Sequence, residues 1–238
     1  MVDYLASISA DGDAFASVIA SGPLDADVPS CPGWNLRDLA HHLGYVHRWA
    51  RLSAATAAQP DDEDIDPPPG DTDLPGWLRA GTSALITTLG SVPGDAPTWH
   101  PFPPPVPQIM SVWPRRQAHE LAVHLWDAQA AVGEPTLMDP LLAASFVREY
   151  FEVIVPRVMD RDGREAPVGI VNVEMTDVGG RFSIRSTPTT VAILPSTEDA
   201  PVIAGSAQDV LLALWRRQPL LGAPTSGPAA EWLDFGGN

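Results

Sequence analysis

Apolar residues recur every three to four positions through most of the first 156 residues, and the spacing then tightens towards alternation. Residues 3–20, 35–58, 75–91 and about 110–132 each present one apolar face and predict four helices. Asn35 is placed to cap the second, with Asp38 at the favourable third position, and Gly133 and Pro135 stop the fourth. Between the second and third lies "QPDDEDIDPPPGDTD" (59–73), too acidic and proline-rich to bury a core of its own, hence a surface loop. "SVPGDAPTWHPFPPPVP" predicts an irregular, polyproline-like crossing before the fourth helix. A fifth helix, 138–156, reads as a connector ending near Pro156.

Beyond it the pattern changes. "VGIVNVEMTD", "GRFSIRST", "TTVAIL" and "APVIAG" are short, β-branched and bounded by Gly or Pro, so they predict strands. "SAQDVLLALWRRQPL" predicts one helix packed on that sheet, capped by Ser206. The fold class is therefore α+β. A helical bundle is expected over 1–157 and a small α+β domain over 165–238.

Composition narrows the partners. The formal net charge is −16, and all 14 basic residues are Arg. Such a surface lacks the clustered cations that phosphate binding needs, which argues against nucleic acid. No apolar run is long enough to span a bilayer, and the opening "MVDYLASISADGDAF" carries acids where a signal peptide has a basic region. The expectation is a cytoplasmic protein without membrane association. Cys31 is the single cysteine, which excludes an internal disulfide and any multi-cysteine zinc site. A metal would have to be held by His and carboxylates.

The fourth helix carries that chemistry in "RRQAHELAVHLWD" (115–127). At about 100° per residue, Glu120, His124 and Asp127 share one side, within about 60° of each other. They border the apolar arc of Leu121, Leu125, Ala128 and Val132, where a solvated charged face would lie opposite it. On the second helix, "DLAHHLGYVHRWA" turns His42 inward beside the core, His41 to water and His47 to the border. Two imidazoles and a carboxylate with a fourth position open form the ligand set of a catalytic zinc, and suit iron, nickel or manganese as well. Asp127 either orients a ligand imidazole from behind or pairs with Arg48 or Arg51, the former being favoured. His119 reads as peripheral, Cys31 as a small buried residue rather than a nucleophile, and Trp34, Trp49, Trp113 and Trp126 as core.

"SCPGWNLRDLAHHLGYVHRWA", followed some way on by "RRQAHELAVHLWDAQAAVG", resembles the mycothiol-dependent maleylpyruvate isomerase family, a branch of the DinB-like metal-binding four-helix bundles. "VNVEMTDVGGRFSIR" and "VIAGSAQDVLLALWRRQPL" are similar to the small sterol-carrier-like domain carried at the C-terminus in that family. The resemblance implies a zinc, or another divalent metal, on His42, Glu120 and His124. It further implies mycothiol, a low-molecular-weight thiol of actinobacteria, as cosubstrate, and a C-terminal-domain Arg near the substrate or thiol. Arg216 and Arg217 are the candidates for that role, and dipole-satisfying arginines at a helix end are the equal alternative. A thiol with a pKa near about 8.5 is mostly protonated at neutral pH, and a metal cation favours its thiolate. Thiolate attack on a small electrophile gives a cis–trans isomerase when followed by elimination, or an S-transferase when the adduct is kept. The competing classes are a non-catalytic metal- or ligand-binding module and a metal-dependent hydrolase. A monomer or weak homodimer is expected.

Overall fold

The computed structural model describes residues 2–236. It is an α+β protein whose chain divides into two compact units. The first comprises residues 1–100 and 107–136, and the second residues 101–106 and 137–238.

The first unit is a bundle of four helices, α1 (Tyr4–Ser21), α2 (Leu36–Thr56), α3 (Leu74–Ser91) and α4 (Val112–Ala131). α1 and α2 each pack against both α3 and α4, so α2 and α4 are lateral neighbours. The core between them includes Ile8, Phe15, Leu39, Leu43, Leu85, Leu121 and Ala128, all at most 1% exposed. α2 opens with a reciprocal capping box. Asn35 accepts from the Asp38 amide and Asp38 accepts from the Asn35 amide, both at 3.0 Å, satisfying two of the orphan donors of a helix start. α2 and α3 approach closely where Arg48, 9% exposed, lies 3.9 Å over the Trp77 ring. Its guanidinium donates to the carbonyls of Gly44 and Trp77, both at 3.1 Å. The acidic 59–73 segment is tethered to α2 at two points, by Tyr45 donating to Asp62 at 2.6 Å and by a paired Arg37–Asp71 contact at 2.9 Å.

The second unit holds α5 (Pro140–Glu149), α6 (Val155–Asp162), the strands β1 (Gly169–Met175), β2 (Gly180–Thr187), β3 (Thr190–Leu194) and β4 (Val202–Gly205), then α7 (Ala207–Leu214) and α8 (Gly227–Phe235). The sheet order is β3-β2-β1-β4, with β1 antiparallel to β2 and parallel to β4. Phe151 stacks edge-on against both Phe182 of the sheet and Trp232 of α8, while Phe146 and Tyr150 meet Trp215.

Three features depart from the pattern read along the chain. The helical rod does not end near Pro156. A single π turn, Tyr150–Ile154, joins α5 to α6, and Pro156 stands in the first turn of α6. Proline lacks the N–H of an interior helical residue, and the π turn directly before it is the local irregularity that accompanies it while the rod runs on to Asp162. α5 also belongs to the second unit, because it packs on α7; the longer of that unit's two stretches starts at Leu137, before residue 165. α8 has no counterpart among the expected elements. No helix among the described residues is long and apolar enough to cross a membrane.

Candidate metal centre

α2 and α4 meet with their polar borders facing each other, so residues 78 apart in sequence come within bonding range. His42 Nε2 lies 3.3 Å from Glu120 Oε1, and His124 Nε2 lies 3.3 Å from the same oxygen. The two imidazole rings stand edge-to-face at 5.1 Å. One donor atom from each of His42, Glu120 and His124 falls within 4.8 Å of the others.

The far sides of Glu120 and His124 are anchored outward. Arg116, 4% exposed and one turn before Glu120, donates to Glu120 Oε2 at 2.6 Å, which leaves Oε1 to the histidines. Asp127, fully buried, accepts from His124 Nδ1 at 2.9 Å through Oδ2. A carboxylate only accepts, so Nδ1 carries the proton and Nε2 is the atom left to face Glu120. Exposure is graded across the cluster: the His42 side chain is 33% exposed, Glu120 19% and His124 10%. The side open to solvent is that of His42. Trp34 covers part of it, with its ring 5.0 Å from the His42 ring.

The electrostatics match the geometry. Burial opposes a charge on His124, but hydrogen bonds to Asp127 and Glu120 outweigh it and push the imidazole up to about 9. Burial likewise opposes a charged Glu120. The hydrogen bonds from His124 and His42 and the nearby Arg116 charge overcome it and hold the carboxyl well below its usual range. The metal-free site is thus an imidazolium wedged between two carboxylates. A divalent cation can take the place of the Nε2 proton while Asp127 keeps the other nitrogen protonated and the ring aimed. Two imidazole nitrogens and one carboxylate oxygen on converging vectors fit such a cation by the chemistry of the donor set. A second constellation, Cys31 with His124 and Asp127, also falls within 4.8 Å. There the hydrogen bond between His124 and Asp127 already uses the facing atoms.

Asp127 contacts His124 and not Arg48, whose partners are carbonyls. His47, placed at the border by spacing, is 1% exposed, with Nδ1 3.3 Å from Thr82 Oγ1. His119 lies outside the donor cluster, fully buried and edge-on to Tyr4 of α1 at 5.8 Å. His41 does not simply face water, since its Nε2 is buried without a hydrogen-bond partner. Trp113 is core, whereas Trp34 is half-buried against His42. Cys31 is half-buried rather than buried, its Sγ 3.8 Å from Asp127 Oδ2. Arg216 and Arg217 belong to the second unit, just past α7. Arg216 has φ of 57°, and Arg217 donates to the Trp215 carbonyl at 3.1 Å with its guanidinium over that ring. Both line a cavity of about 560 Å³ with Gln218, Leu220, Leu233 and Asp234. Arg116, on the same helical stripe as Glu120, and Trp34, read as core, both contact the cluster. Ser30 is a contact that periodicity did not single out.

The mycothiol maleylpyruvate isomerase N-terminal domain model matches residues 5–129. A solved structure described as the crystal structure of the mycothiol-dependent maleylpyruvate isomerase superposes with a TM-score of 0.60. It is 11% identical, over 91% of this chain and 89% of that one, a likeness of fold. No curated protein matches. The family match covers more than half of the 238 residues, including the whole of α2 and all of α4 up to Gln129, and the chain therefore belongs to the mycothiol maleylpyruvate isomerase N-terminal domain family.

Proposed function

We propose that this chain is a metal-dependent enzyme that activates a low-molecular-weight thiol of the mycothiol type for attack on a small electrophile. The observation that carries this reading is the convergence of His42 Nε2, Glu120 Oε1 and His124 Nε2 in a site open on one side. Family membership supplies the thiol. His42, Glu120 and His124 would hold the ion. A bound divalent cation supplies positive charge that favours a thiolate over its thiol at neutral pH.

The chain's own residues prepare the site for that. Asp127 keeps the His124 Nδ1 proton in place, so that Nε2 offers its lone pair. Arg116 holds one oxygen of Glu120 and offsets its charge, so the three protein donors together contribute little net negative charge. The His42 edge is where a thiol reaches the site, and Trp34 gives that edge an apolar, water-excluding wall. The thiolate sulfur adds to an electron-poor double bond, the former double bond rotates, and loss of the thiolate returns the alkene with altered geometry. Where the carbanion instead takes up a proton, equivalent to the one the thiol gave up, the product is the S-conjugate. Arg216 and Arg217 are suited to a carboxylate on the electrophile, which an Arg grips through two parallel hydrogen bonds.

The test is elemental analysis of the purified chain together with thiol-dependent turnover of a maleyl-type cis-alkene acid. About one divalent ion per chain is expected, zinc first among them. His124→Ala should lose both the metal and turnover. Product analysis separates an isomerised acid from a thioether. Stoichiometric metal in His42→Ala, Glu120→Ala and His124→Ala alike, or turnover undiminished without thiol, would refute the reading.

A further inference from the structure

The turn that leads into α2 is built more firmly than a connection requires. The Val28 amide donates to the Trp34 carbonyl, the Cys31 amide to the Val28 carbonyl and the Trp34 amide to the Cys31 carbonyl, all at 2.9 Å. Asp27 and Asn35 close it as an antiparallel bridge. Gly33 takes a φ of 85° in the reversal, a conformation that costs a residue without Cβ nothing. The turn delivers two side chains to the metal cluster: Trp34 rests on His42, and the Ser30 hydroxyl donates to Asp127 Oδ1 at 2.6 Å.

We infer that Ser30 is a positioning residue of the metal centre, acting on His124 through Asp127. The inference rests on the metal reading above. Asp127 lies on the same helix as His124, three residues on, and its two oxygens are chemically equivalent acceptors. A hydrogen bond to the imidazole holds one oxygen, and a directed contact to the other oxygen opposes rotation of the carboxylate about its terminal torsion. Ser30 comes from a segment 97 residues away and fixes Oδ1, so Oδ2 is the oxygen that meets Nδ1. Asp127 has no exposed surface, so water does not stand in for the hydroxyl without rearrangement. Cys31 Sγ reaches the oxygen that His124 already uses and does not replace the Ser30 contact. The order Ser30 to Asp127 to His124 is thus a chain of directed donors and acceptors whose outcome is the aim of a lone pair.

The experiment uses the full-length protein stripped of metal. Zinc affinity is measured by chelator competition, and the visible spectrum of the Co(II)-loaded protein reports ligand geometry. Ser30→Ala should weaken zinc binding by up to about 10-fold, the low end of the range found when an outer partner of a ligand histidine is itself lost, and alter the Co(II) bands. Ser30→Thr should restore both. Ser30→Val has the shape of the Thr variant without the hydroxyl, so the Thr–Val difference reads the hydrogen bond even if the Ala variant folds poorly. A role in folding alone would lower the thermal midpoint while leaving affinity and spectrum intact, and that outcome overturns the inference. Equal affinities for wild type, Thr and Val variants overturn it while leaving the metal site standing. Wild-type protein that binds neither zinc nor Co(II) removes the metal reading and this inference together.

Discussion

His47 shows how one residue can belong to the bundle rather than to the site it adjoins. It lies five positions after His42 on α2, is 1% exposed and stands beside Thr82 of α3. Burial is the main influence on it and lowers its pKa from 6.5 to about 4, partly countered by the Glu120 charge. The unfolded chain therefore binds a proton at His47 between those values where the folded chain does not. Stability from His47 is complete above pH 6.5 and is lost as pH falls from 6.5 towards 4. The shift corresponds to at most about 3 kcal/mol. Urea unfolding of metal-free protein across this interval should show stability falling with acid, and His47→Gln should flatten part of the slope. An unchanged slope in the variant would place the acid sensitivity elsewhere.

The α2–α3 pairing depends on two glycines. A Cβ on Gly44 would lie 1.8 Å from the Trp77 ring, and one on Gly81 would lie 2.6 Å from the Arg48 guanidinium. Both helices would have to part, or Trp77 and Arg48 leave the stack in which each holds the other. Gly44→Ala should cost about 1–3 kcal/mol through overpacking, although Ala is the better helix former. Gly90→Ala, on the same α3 but with its nearest atom at 3.5 Å, should be neutral or slightly stabilising. Thermal midpoints of the two variants provide the comparison; similar midpoints would show that the stack yields cheaply. The helices and strands were legible because each has one apolar face and a clear period. The π turn was not, since Tyr150–Ile154 keeps its apolar residues while the hydrogen-bond step changes. α8 was hidden in "GPAAEWLDF", whose proline and small residues read as a tail until Trp232 has the aromatic rings of the second unit to pack against. At the metal cluster, the wheel could turn His42, Glu120, His124 and Asp127 towards the bundle interior. It could not see Ser30, because a contact across 97 residues leaves no trace in local spacing.

At the scale of the whole molecule, the chain changes units three times rather than once: at 100–101, at 106–107 and at 136–137. The short excursion 101–106 carries Phe102, 4% exposed, which lies under the Arg157 guanidinium at 5.4 Å within the second unit. The sequence showed this stretch only as a proline-rich crossing, and its apolar anchor is a single residue too isolated to register as an element. In sequence the peptide is thus bounded by α3 and α4 of the first unit, while its contacts assign it to the second. Like a stitch taken through a second cloth, this segment survives the cutting of the seam beside it. A protease site engineered between Thr136 and Leu137 severs the one crossing that a two-domain chain would have. The nicked halves should nonetheless elute together on size exclusion in buffer and come apart only in denaturant. Phe102→Ser should release them under native conditions; if the nicked wild-type halves already separate, the 101–106 segment is no anchor. In terms of recombination, a single crossover at 136–137 would exchange the second unit without its 101–106 segment, so a whole-unit swap needs three junctions rather than one.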